Sequence, residues 1–279
     1  MSVSGQIDTH RSDLTPAERK VAGIVLSDPE AVAFGTVADV ARRAGASGAT
    51  VVRLAAKLGY EGFPGLQGAV QEEMARRLRP AAERIRRPEA GDALSRTLAV
   101  ELDNLTATLE AVDRADLARA LRLLARPRGR VLVLSGDASR GVAAIFATEL
   151  AMLRPGVEHV AGSPVAVARA LAHAGPDDVV VVLDLSRYDR WVLEATDRAA
   201  AHGARVVAIT DDRLSPLAAH AALAFAVAAA GAGPFDSHTG MLALVNALVA
   251  GVADRLRRSA TERLDRLEAA WSEAGALVD

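Results

Sequence analysis

The chain has no cysteine, which removes disulfides, Cys-ligated zinc, iron–sulfur clusters and thiol catalysis. Aromatic residues are scarce, at 3% of 279 residues. The core must therefore rest on Ala, Leu and Val, which favours close helix packing. The first fifteen residues carry Asp8 and Asp13 and lack the charged-then-apolar order of a signal peptide. The most apolar stretch, Leu217 to Pro234, contains His220 and Gly231 and reads as a short helix and a strand, not a membrane span. With a formal net charge of −2, no uniform basic coat for nucleic acid exists, but a local basic face is still allowed. A cytoplasmic protein without a membrane partner is expected.

What is present is a globular composition, 51% hydrophobic and 24% charged. At roughly 150 residues per domain the length suggests two domains. The texture changes near residues 80–92, so the expected division is a helical domain over 1–79, a linker over 80–92 and an α/β domain over 93–279. Thr15-Pro16-Ala17-Glu18 is a capping box with Pro at the first helical position, predicting a helix to about Ser27. Further helices are expected over 36–44, over 48–58 and from about Pro64 to Pro80. Beyond Gly91, leucines at 94, 98, 102, 105 and 109 keep near-helical spacing, and another helix is expected over 113–125. Then continuous apolar runs, Val131–Leu134, Val179–Leu183 and Val206–Ile209, alternate with helical stretches. Such runs suit central strands of a doubly wound parallel sheet covered on both faces. A closing amphipathic stretch, 240–271, predicts one or two helices.

Within the helical domain, Thr36 to Leu54 has helix-turn-helix logic. Val37, Val40 and Ala41 face inward, Gly45 permits a left-handed turn, and Ser47 can cap the next helix. Val51, Leu54 and Leu58 then face the core, placing Ser47, Gly48, Ala49, Thr50 and Arg53 at the front of a helix suited to the major groove. Arg53 can pair bidentately with guanine, and Thr50 can meet a phosphate or base edge. Arg42, Arg43, Arg53 and Lys57 stand against one acid in the segment, Asp39. An ordinary helical hairpin with solvated arginines fits the same spacing.

The run Leu14 to Ala22, the segment above, and Lys57-Leu58-Gly59-Tyr60-Glu61-Gly62-Phe63 together resemble the N-terminal domain of the RpiR/MurR family of regulators over about residues 10–79. Gly48 stands where that family often has a larger or charged residue, and Tyr60 where Phe is usual. The resemblance implies operator DNA as partner and a second domain of the sugar-isomerase (SIS) fold that binds phosphosugars or related acids. SIS domains of the family pair, so a homodimer or homotetramer is implied, with 91–125 and 240–271 as contact surfaces.

Two loops follow strands and open helices, where backbone amides and the helix dipole favour an anion. The first, Ser135 to Gly141, resembles the family's Gly-x-Gly-x-Ser loop in part: Gly136 is kept, Ala138 replaces the second Gly, and Ser139 or Arg140 covers the hydroxyl region. A ligand-free tight turn fits it as well. The second, Asp184 to Arg190, resembles Ser-x-Ser-Gly-x-Thr with Asp184 at the first Ser, Ser186 kept, Arg187 for Gly and Asp189 for Thr. Arg187 and Arg190 can fork onto a carboxylate or phosphate, or pair with Asp184 and Asp189 as a structural network. After the third strand, Ser215-Pro216 reads as a helix start. Ser237 resembles a family Ser near the cleft.

No catalytic or metal-ligating residue and no cofactor is expected. Glu194, His202, His220 and His238 have no spacing that specifies isomerase chemistry, and His202 beside Gly203 reads as capping carbonyls. A sugar-phosphate isomerase-like enzyme and a DNA-binding protein with a ligand-dead SIS domain remain alternatives.

Overall fold

The computed structural model describes residues 3–10, 13–78, 81–86, 91–212 and 215–277. The chain divides into two compact units, Met1–Pro80 and Ala81–Asp279.

The first unit is helical: α1 (Val3–Thr9), α2 (Pro16–Ser27), α3 (Pro29–Phe34), α4 (Val37–Ala44), α5 (Gly48–Lys57) and α6 (Gly62–Leu78). Side-chain caps set most boundaries. Thr15 and Glu18 close a capping box at α2, Thr36 and Asp39 another at α4, and Asp28 caps α3. The Thr36 hydrogen bonds hold the Asp39 carboxyl at about 2. Val21, Val32, Val40, Val51, Leu54 and Leu66, each fully buried, form the centre. The spacing did not predict α1 or α3. Val3 and Ile7 seat α1 on this core, and Gln67 and Gln71 of α6 donate to the carbonyls of Val32, Gly35 and Ala33 around the end of α3.

The second unit begins with α7 (Ala81–Ile85), inside the segment expected as a linker; residues 80 and 87–90 of that segment lie outside the described residues. It continues with α8 (Ala93–Glu110), α9 (Arg114–Leu124), β1 (Val131–Ser135), α10 (Arg140–Leu153), β2 (Val157–His159), α11 (Pro164–Leu171), β3 (Val179–Leu183), α12 (Arg190–Ala201), β4 (Arg205–Thr210), β5 (Leu223–Ala226) and α13 (Thr239–Ala274). The five strands run parallel in the order β2-β1-β3-β4-β5. Every residue of β1 and β3 is buried, and the two side-chain sets alternate as a doubly wound sheet requires. Val131, Val133, Val179 and Val181 meet α10 and α13 on one face. Leu132, Leu134, Val180 and Val182 meet α11 and α12 on the other. β2 and β5 are short edge strands, three and four residues long, too brief for a periodic signal.

One helical expectation changes. The stretch after Ser215 forms a turn, not a helix, and the buried Ser215 hydroxyl has no hydrogen-bond partner among the described residues; Arg213 and Leu214 lie outside them. The closing stretch is one 36-residue helix, α13. By length and composition it is apolar enough to cross a membrane, yet Met241, Leu244, Val245, Leu248 and Val252 are fully buried in the sheet-facing core. The leucine stripe of α8 faces outward. Leu94, Leu98, Leu102 and Leu109 are 80%, 60%, 54% and 44% exposed. The helix docks instead by its polar face: Asn104 exchanges two hydrogen bonds with the Ala230 backbone, and Thr108 accepts from the Ala228 amide.

At the N-terminal ends of the strands the buried charges are well matched. Asp178 accepts from the Arg130 amide and guanidinium, at 2.7 and 2.9 Å. Arg154, 5% exposed, donates to the carbonyls of Pro155, Leu124 and Gly129. Arg154→Met leaves those carbonyls without their donor and is expected to lower the stability of the α/β unit by about 2–3 kcal/mol, read as a lower urea midpoint.

Candidate functional site

Two places gather exposed polar chemistry. The first is the α4–α5 pair. Gly45 ends α4 in the left-handed conformation, at φ 57°, which a residue without Cβ adopts at no steric cost. Ser47 then caps α5, its hydroxyl accepting from the Thr50 amide. A Cβ on Gly48 would lie 3.2 Å from Val37, so the small residue lets the start of α5 close on α4. Ser47, Ala49, Val52, Arg53 and Ala56 are exposed along α5. Val52 and Ala56 belong to this face although the sequence did not single them out; their helical spacing from Ala49 and Arg53 was the available signal.

Thr50 is corrected. It is 4% exposed, its hydroxyl held by Ser47 at 2.9 Å and by the Arg53 guanidinium at 3.1 Å. It positions Arg53 rather than facing outward. The local charge is corrected too, because the fold brings acids from outside the segment. Arg42 pairs with Asp39 at 2.7 Å and Arg43 with Asp28. Lys57 donates to Glu18 and to the Asp13 carbonyl. The Thr15 amide, then Lys57, draw the Glu18 carboxyl below its ordinary range. Arg53 has no acidic partner among the described residues.

The second place lies at the C-terminal ends of β1 and β3. β1 leads through α10 to its outer neighbour β2, whereas β3 leads through α12 to β4 on the other side. The two connections diverge there, at the switch point where sheets of this topology form their ligand crevice. Ser139 is fully buried, its hydroxyl 3.3 Å from His238 Nε2. Ser186 donates to Asp236, which also holds Arg84 at 2.6 Å. Tyr188 donates to Asp211 at 2.5 Å. Arg84, Asp236 and His238 therefore join the crevice, and the sequence did not bring out Arg84, which lies 152 positions before its partner. Ser237 is turned to another task, donating to Glu101 of α8 and accepting from the Thr239 amide.

Three of the loop amides are occupied by carboxylates. Asp184 Oδ1 accepts from the Leu185 amide and Oδ2 from the Asp189 amide, each at 3.0 Å. Asp189 does not cap its own helix; its Oδ2 reaches across the crevice to the Asp137 amide at 2.8 Å. Gly136 is packed so tightly that a Cβ would overlap the Asp184 carboxylate. Of the two readings of this loop, the pairing of Asp184 and Asp189 with Arg187 and Arg190 is not found among the described residues: both arginines are exposed, and neither has an acidic partner there. Arg140 meets Asp137 at 3.4 Å, both well exposed. Arg187 holds φ 71°, the positive-φ region that favours glycine. The loop thus keeps a glycine backbone under a larger side chain, a strain of the kind found at functional sites.

Of the other polar residues weighed for catalysis, His202 sits at the C-terminal end of α12 with Nδ1 3.3 Å from the Leu171 carbonyl. His220 lies 3.6 Å from Asp197 and Glu194 pairs with Arg198, all at the surface.

Burial pushes the Asp184 carboxyl up to about 6, and its negative neighbours Asp189 and Asp211 add to this against the pull of the two amides. An acid raised in the folded state stabilises most when protonated, and that contribution is lost as pH rises from the unfolded value through about 6. Asp184→Asn removes this dependence. Its stability relative to the parent chain should rise by about 2–3 kcal/mol between about pH 4 and 7, whatever constant offset the amide introduces. Denaturant titrations across that range check it, and a flat difference would contradict it. Arg187→Gly relieves the positive φ and should add about 1 kcal/mol in the same measurement.

Comparison with known proteins matches these two units. Residues 1–77 fit the family described as "Helix-turn-helix domain, rpiR family" and residues 123–251 the SIS domain. The HTH-type transcriptional regulator YfhH of Escherichia coli is 28% identical over 202 residues, covering 71% of each chain. The sugar-isomerase domain of an RpiR transcription factor from Sphaerobacter thermophilus is 28% identical with a TM-score of 0.58, over 62% of this chain and 97% of that one. The Vibrio vulnificus NanR protein, solved with ManNAc-6P, shares the fold over 98% of both chains at 20% identity and a TM-score of 0.59. The chain also spans 34% of the length of a bifunctional glk protein of Paraburkholderia xenovorans, at 28% identity. A helix-turn-helix domain of this type followed by a five-stranded parallel SIS domain places the chain in the RpiR family of HTH-type transcriptional regulators.

Proposed function

We propose that the chain is a cytoplasmic DNA-binding regulator whose SIS domain senses a small metabolite and alters operator affinity, without turning the metabolite over. The observation that carries this reading is the capped α5, which presents Ala49, Val52 and an Arg53 guanidinium with no acidic partner among the described residues. Such a helix fits the major groove, Arg53 reading a base edge while Arg42, Arg43 and Ser47 approach phosphates. For the effector, the range is a phosphosugar or a related acid. Support comes from the crevice at the strand ends, from Arg187 and Arg190 without acidic partners among the described residues, and from the phosphosugar held by the fold neighbour NanR. The effector changes operator occupancy only by binding the two arrangements of the protein unequally.

Operators of two-fold symmetry call for two copies, with recognition helices about 34 Å apart or a multiple of it. The outward leucines of α8 supply a face for the second copy, since the polar side of the helix is already used within the subunit. Leu98→Glu together with Leu102→Glu should convert the dimer to monomer in light scattering after size exclusion. An unchanged mass would place the interface elsewhere.

Arg53→Ala should weaken binding to the DNA upstream of the protein's own gene by about 1–3 kcal/mol in fluorescence anisotropy, with little change on scrambled DNA. An equal loss on both would make Arg53 a phosphate contact.

A further inference from the structure

We propose that Asp184 and Asp189 are specificity-determining residues that exclude a phosphoryl group from the crevice, so that the effector is a phosphate-free ligand bringing hydroxyl donors. The proposal rests on the crevice being the effector site and narrows the range given for it. Three amides at the diverging loops, those of Asp137, Leu185 and Asp189, are among the donors open to an anion at this switch point. Each already donates to a carboxylate oxygen of this chain, at 2.8, 3.0 and 3.0 Å. The two carboxylates come from the very loop that an incoming phosphate would approach. A phosphate would have to displace Asp189 from the Asp137 amide while lying against the Asp184 carboxylate, itself packed on Gly136.

The repulsion acts at short range in a partly dehydrated crevice, where charge interactions are little screened. The surrounding hydroxyls do not offset it. The Ser186 and Tyr188 hydroxyls donate to Asp236 and Asp211, and Ser139 is shared with His238. Arg187 and Arg190 at the outer edge of the loop can still meet a carboxylate, but the inner crevice offers acceptor capacity: a carboxylate accepts at about four lone-pair positions, and Asp189 uses one of its two oxygens on the Asp137 amide. Hydroxyl donors of an uncharged part of a ligand match that set, whereas a phosphoryl group, rich in acceptors, does not.

The test uses the full chain with inorganic phosphate and glucose 6-phosphate as probes, by isothermal titration calorimetry at neutral pH without DNA. The parent protein should bind neither. Asp184→Ser combined with Asp189→Ser clears the amides and should gain binding of both probes, with at least a tenfold lower Kd. Asp189→Asn, which keeps the side-chain size and an acceptor for the Asp137 amide, should show a smaller gain in the same direction and guards against misfolding of the double variant. Binding of either probe by the parent protein as tightly as by the variants would overturn the proposal, as would a folded double variant that still binds neither. Operator binding is measured separately, so loss of the regulator reading would show there and not in the phosphate titration.

Discussion

Because β1, β3 and most of β4 are buried on both faces of the sheet, polar groups of the α/β unit can collect only at the strand ends. The two ends then behave differently. At the N-terminal end each buried charge has a fixed complement, Asp178 with Arg130 and Arg154 with three carbonyls. At the C-terminal end the carboxylates of Asp184 and Asp189 rest on backbone amides, and the neighbouring arginines are turned to solvent. Charge matching at one end stabilises. The unmatched charge at the other, with an acid raised to about 6 and a residue at positive φ, coincides with the proposed effector site.

The helical unit follows a related economy. Caps at Thr15, Asp28, Thr36 and Ser47 fix where four short helices begin, so a small aliphatic core suffices to set their mutual packing. The ion pairs Arg42–Asp39, Arg43–Asp28 and Lys57–Glu18 neutralise most of the positive charge near α5. In the proposed regulator, recognition therefore falls on few residues, chiefly Arg53, which Thr50 holds from inside.

Much of this was legible in the residues. The capping box at Thr15, the glycine turn at Gly45 and the continuous valine runs each have one dominant local cause, and helices and strands appear where they predict. Signals that depend on distant partners were not legible. Periodicity put Thr50 at the front of α5, but hydrogen bonds from Ser47 and Arg53 draw it inside. Asp28 and Glu18, which absorb the charge of Arg43 and Lys57, lie on other helices. Leucine spacing in α8 marked a helix but not its orientation, which Asn104 and Thr108 decide by satisfying the backbone at 228–230. In the crevice, the positions of Asp184 and Asp189 could be read, but not that they face amides instead of Arg187 and Arg190.

The central claim is sequence-specific binding of DNA, and selection of fragmented genomic DNA by the purified protein at fixed salt addresses it directly. The account predicts strong enrichment of a few fragments that share a two-fold-related motif with half-sites one helical turn, or a multiple, apart. Recovery of no fragment above random background would contradict it.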